Sequence, residues 1–168
     1  MKKIMKRNIG FTLIELLKVI AIIAIIASVV FVALDPLTRF RDARDSRRWT
    51  DVTATLSAIK LDQVDNGGTY ESDIAALSAG SVYMIGTATT GCDDENVYCD
   101  TGVTADTSCV SLNALVTEGY MGAVPVSSNG GGSWNASKTG YTIQRDSTGI
   151  ITIRSCESEN SDEIWVAR

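Results

Sequence analysis

The feature that most restricts this 168-residue chain is an unbroken apolar run from Phe11 to Leu34, which carries only two ionisable side chains, Glu15 and Lys18. As a helix it would be about 36 Å long, enough to cross a hydrocarbon core of roughly 30 Å. Ahead of it stands a short basic leader with Lys2, Lys3, Lys6 and Arg7. The positive-inside rule keeps such a leader in the cytoplasm and sends residues 35–168 across the membrane. Within a spanning helix a carboxylate costs at least a few kcal/mol, so Glu15 is expected to be held for a partner.

Two simpler readings explain less. An ordinary secretory signal is cut after its apolar run beside small residues. Ala27-Ser28 could serve, but Val29 to Leu34 then continues apolar without a break. A plain signal anchor accounts for the length and the leader, but for neither Gly10 nor Glu15.

The order Gly10-Phe11-Thr12-Leu13-Ile14-Glu15-Leu16-Leu17, followed by the Ile/Ala-rich run Val19 to Ala27, closely resembles the prepilin signature of type IV pilins and of type II secretion pseudopilins. The resemblance implies that a membrane prepilin peptidase cuts between Gly10 and Phe11 and N-methylates Phe11. It implies further that Glu15 meets the Phe11 amine of a neighbouring subunit at an inner-membrane assembly platform. The expected product is a filament of identical or related subunits. Lys18 stands where the family usually has an apolar residue. It either snorkels to cytoplasmic headgroups or shares Glu15, which lies three residues before it on the same helical face.

The exported part is acidic. Residues 51–168 hold five basic and sixteen acidic residues, a net charge of −11. Such a surface repels nucleic acid, and no nucleic-acid partner is expected. Cys92, Cys99, Cys109 and Cys156 all fall in this part, and four cysteines in an oxidising compartment read as two disulfides with three available pairings. Cys92–Cys99 is favoured because it closes a short loop. Cys109–Cys156 is favoured by the resemblance, since many type IV pilins tie their carboxy-terminal region to the middle of the head. A zinc site is disfavoured by the Cys-x6-Cys-x9-Cys spacing and by the absence of histidine.

Asp35-Pro36 should kink or locally melt the helix. An amphipathic helix is expected from Leu37 to about Asp65, with Trp49, Val52, Leu56 and Ile59 facing the head and Asn66-Gly67-Gly68 stopping it. Five arginines lie between Arg39 and Arg48 with Asp42 and Asp45 among them. They read either as a solvated face with pairs such as Arg41–Asp45 and Arg47–Asp51, or as a basic collar for the acidic head of an adjacent subunit. Beyond Gly68 one strand is expected at Ser81–Ile85, then a short helix at Leu112–Val116. A hairpin follows, 141–145 with 150–154 about Asp146-Ser147-Thr148-Gly149, and a last strand at 164–166. The carboxylates Asp93, Asp94 and Glu95 are bunched, and major pseudopilins bind calcium in their heads. The EF-hand spacing is absent, however, so an acidic solvated loop is expected and no metal or cofactor is assigned.

The expected fold is α+β and pilin-like. A leader (1–10) precedes a membrane and assembly helix (11–34), an amphipathic helix (35–66) and an exported, disulfide-bonded head (67–168) on a small antiparallel sheet. Without histidine there is no Ser-His-Asp triad, and no phosphate loop or dinucleotide fingerprint is present, so no enzyme activity is expected. The expected role is structural, as a prepilin of a type IV pilus-like filament. The protein would be single-pass in the cytoplasmic membrane with its carboxy-terminal head outside, then at the cell surface after assembly. A secretion pseudopilin and a monomeric tethered binding ectodomain are the alternatives.

Overall fold

A computed structural model describes residues 10–105 and 108–168. The basic leader lies outside the described residues. The chain divides into two units, the first ending at Arg39 and the second running from Phe40 to Arg168.

Helix α1 spans Leu13–Leu34 and has no buried residue. Its apolar side chains are exposed on every side, as for Ile22, Ile26 and Phe31. A helix that is apolar all round and buries nothing against its own chain needs another apolar medium, either lipid or packed helices. Its 22 residues give a length of about 33 Å, sufficient to span a membrane. The helix ends at Asp35, the described non-glycine residue with positive φ (37°). Helix α2, Pro36–Asp65, starts on the next residue. Proline suits this first helical position because its missing N–H would have no intrahelical acceptor there. Asp35 then begins α2, its carboxylate accepting from the Thr38 hydroxyl at 2.6 Å and its carbonyl from the Arg39 N–H at 3.3 Å. The expected kink is thus a break of one residue.

The lower half of α2 buries Val52, Leu56 and Ile59, with Thr55, Ala58 and Asp62 beside them. Trp49, expected to head this stripe, is instead 41% exposed. At 100° per residue Trp49 lies about 80° from Ile59, whereas Arg48 lies about 20° from it. The centre of the buried face is therefore held by a charged residue. Gly67 and Gly68, with φ of 66° and 94°, end the helix, and the Gly68 N–H closes on the Gln63 carbonyl at 2.7 Å.

Four antiparallel strands form one sheet in chain order: β1 Val82–Met84, β2 Tyr141–Arg145, β3 Ile151–Ser155 and β4 Trp165–Ala167. Alternation gives it two working faces. The inner face, with Tyr141, Ile143, Ile151 and Ile153, packs on Val52, Leu56 and Ile59. The short helices α3 (Ser72–Ala75) and α4 (Asn113–Thr117) add Ile74 and Leu115 to this core. A second core, comprising Met84, Cys92, Val103, Trp134 and Cys156, lies on the outer face. The β2–β3 turn is held by Asp146, whose carboxylate accepts from the Thr148 and Ile150 N–H groups, both at 2.8 Å. This α+β, pilin-like arrangement agrees with the fold expected from sequence.

The disulfides differ from the expected pairing. They are Cys92–Cys109 and Cys99–Cys156. Backbone hydrogen bonding decides this. The Cys109 N–H donates to the Ala88 carbonyl at 3.0 Å, bringing Cys109 alongside the segment that leads to Cys92. The Asp100 N–H donates to the Cys156 carbonyl at 2.7 Å, setting Cys99 beside the end of β3. Asn96 also clips Val103 in both directions, at 2.9 and 2.7 Å, and so folds the intervening loop back on itself.

Candidate functional site

The signature residues lie at the start of α1. Gly10 and Phe11 are exposed and non-helical, so the bond between them sits in open chain just before the helix. Thr12 is the N-cap. Its side-chain oxygen accepts from the Glu15 N–H at 3.3 Å, while the Glu15 carboxylate accepts from the Thr12 N–H at 2.9 Å and its hydroxyl at 2.7 Å. This reciprocal capping box satisfies donors that every helix start leaves open. It also fixes the Glu15 carboxylate at the amino-terminal end of α1, beside the chain that carries Phe11. The pattern Thr12-x-x-Glu15 before an apolar run is the local sequence signal for this cap. Lys18 is exposed on the next turn and makes no ion pair with Glu15 among the described residues. The structure thus brings Gly10, Phe11, Thr12 and Glu15 together in one chain and leaves Lys18 apart.

A second charged centre lies within the head. Arg48 is fully buried. Its guanidinium donates to Asp45 at 2.8 Å, Glu159 at 2.8 Å, Glu157 at 2.9 Å, the Ser127 hydroxyl at 3.2 Å and the Ser128 carbonyl at 2.8 Å. Arg44 holds the other side of Glu159 in a two-pronged pair, and Glu157 also accepts from the Gly132 N–H. Burial works against the Asp45 charge. The N–H groups of Asn160, Glu159 and Ser161, together with Arg48, outweigh it and lower its pKa. Glu159 is lowered to about 2, chiefly by Arg44 and then, against burial, by Arg48. Burial and the Asp51 acceptor at 2.7 Å raise the Tyr141 hydroxyl.

This network corrects the reading of the arginine run. Arg44 and Arg48 turn onto the head of their own chain. Asp45 is taken by Arg48 and by backbone donors rather than by Arg41. Arg47 does face Asp51, at 3.8 Å. Sequence could not single out Arg48 among five arginines, because its acceptors other than Asp45 lie 79 to 111 residues away in the chain. In the acidic loop, Asp94 pairs with Lys138 at 3.2 Å. No group of three or more metal-ligating side chains comes together among the described residues.

The family model of the prokaryotic N-terminal methylation motif matches residues 5–31. That motif is the signature of type IV pilins and pseudopilins, and this chain carries it. No curated protein and no solved structure matches the chain.

Proposed function

We propose that this protein is the prepilin of a type IV pilus-like filament, with residues 1–10 as the leader, 11–34 as the membrane and assembly helix, 35–66 as the amphipathic helix and 67–168 as the head. Prepilin peptidase cuts between Gly10 and Phe11 and methylates the new Phe11 amine. An inner-membrane platform then lifts the subunit from the bilayer. In the filament α1 exchanges lipid for the α1 helices of its neighbours, and Glu15 sets the axial register by meeting the Phe11 amine of an adjacent subunit. A carboxylate without that partner is strongly disfavoured in an apolar core.

The observation that carries this reading is the methylation motif at residues 5–31, which from Leu13 onward lies on a helix with no buried residue. The same motif serves pseudopilins. A surface pilus is preferred because the head is large and carries two disulfides. The test is mass spectrometry of protein sheared from the cell surface. Abundant chain beginning at N-methylated Phe11 is expected. The same processed chain found only in the envelope would instead assign a secretion pseudopilin. A chain still beginning at Met1 would end the filament reading and leave a tethered ectodomain.

A further inference from the structure

Helix α2 carries its charges against its own dipole. Arg41, Arg44, Arg47 and Arg48 lie in its first half, Asp62 and Asp65 in its last turn, with no acid in the first turn and no base in the last. A helix alone favours the opposite arrangement, because its amino end is partly positive and its carboxy end partly negative. Contacts within the head account for part of the pattern. Arg44 and Arg48 are taken by Glu159, Glu157 and Asp45. Asp62 is buried and accepts from Asn66 and from the Glu71 N–H.

What remains lies at two poles of the head. At one, Arg41 is exposed and makes no ion pair among the described residues, and Arg47 is exposed with only the long Asp51 contact. Arg41 borders a groove of about 600 Å³, lined also by Arg44, Asn129, Gly130, Gly131 and Glu159. Gly130 and Gly131 are exposed, and their N–H groups donate to nothing among the described residues. A free guanidinium beside free N–H groups is chemistry for a carboxylate. At the other pole, Asp65 and Glu118 are exposed, and burial together with these acids and Asp62 pushes up the Tyr120 hydroxyl near them. Arg41 and Asp65 are 24 residues apart on one helix, about 36 Å.

We propose that the Arg41–Arg47 pole of one head docks on the Asp65–Glu118 pole of a second copy. From Phe40 onward the chain has nine basic and eighteen acidic residues, so two heads repel unless their few free cations meet acids. Two different, mutually complementary patches on one molecule form a heterologous contact, which propagates instead of closing into a dimer. The inference rests on the filament reading and names the head surfaces that would hold such a filament together.

The test uses the full chain in cells and follows the amount of sheared filament relative to processed chain beginning at Phe11 in the membrane. Arg41→Glu and Glu118→Arg should each lower that ratio by about tenfold or more, because each sets like charges face to face. The double variant should recover most of the loss. Single variants that assemble as wild type, or a double no better than its singles, would overturn the docking. An Arg41 pole that binds anionic lipid instead would leave the double as defective as Arg41→Glu. A second measurement covers variants that fail to fold: an Arg41→Cys/Glu118→Cys chain should give a ladder of disulfide-linked oligomers from sheared filaments. Filaments without that ladder would also overturn it. Wild-type cells with processed chain but no sheared filaments would refute the surface-pilus reading itself.

Discussion

Replacing Arg48 with methionine should destabilise the head more than any other single surface or core change proposed here. The guanidinium is wholly buried and serves three carboxylates, a hydroxyl and a carbonyl. After its removal Asp45 keeps three backbone donors, and Glu159 keeps Arg44. Glu157, only 6% exposed, is left with the Gly132 N–H. Breaking a buried ion pair on one side costs about 3–5 kcal/mol, because a charge stays in the interior uncompensated. For the 129 residues from Phe40 to Arg168 this corresponds to a fall in Tm of roughly 10–20 °C. The assay is thermal unfolding of the full chain in detergent at neutral pH with disulfides intact, followed by circular dichroism. Adding Glu157→Met to Arg48→Met should recover a substantial part of the loss, since the penalty is the orphaned charge. An Arg48→Met melting temperature within about 3 °C of wild type would refute the reasoning. So would a double variant as unstable as the single.

Acid should weaken the head over a defined window. The folded pKa values of Glu159 (about 2) and Asp45 lie below their ordinary values, so their contribution is complete above about pH 4.5 and is lost as pH falls towards 2; a Tm unchanged between pH 5 and pH 2 would contradict this. Removing Cys99–Cys156, which spans 57 residues, should cost about 4 kcal/mol in the chain-entropy account, against about 3 for Cys92–Cys109, which spans 17. Denaturant unfolding of the two Cys→Ser pairs checks the order, and non-reducing peptide mapping checks the pairing. Glu15→Val should leave membrane insertion and cleavage intact while abolishing sheared filaments, and normal filaments from that variant would remove Glu15 from the assembly mechanism.

Elements governed by local chemistry were legible. The span of α2, the stop at Gly67-Gly68, α4, and the hairpin about Asp146–Gly149 follow from periodicity and turn residues acting within a few positions. Trp49 was misplaced because an apolar residue was assumed to hold the buried arc. Arg48 holds it instead, and all its acceptors but Asp45 come from two distant segments, Ser127–Ser128 and Glu157–Glu159. The disulfide pairing was missed for a related reason. Loop length favours Cys92 with Cys99, but the Asn96 side chain and the backbone N–H groups of Asp100 and Cys109 make bonds that carry each cysteine to a different partner. The Thr12–Glu15 cap is a local signal as well, a threonine followed three residues later by a glutamate at the head of an apolar run.

Sequence alone therefore determined the stretch from Gly10 to Leu34. An apolar run long enough for a bilayer, headed by Gly10-Phe11 and bearing Glu15, allows few structures, because backbone polar groups in lipid must be satisfied within the segment. The tertiary structure decided the charged interior of the head: which arginine is buried, which carboxylates hold it and which cysteines join. Those outcomes are tied together by contacts far apart in the chain, such as Arg48 with Glu157 and Glu159 and Cys99 with Cys156, where one arginine or one cysteine looks like the next until folding sets its neighbours.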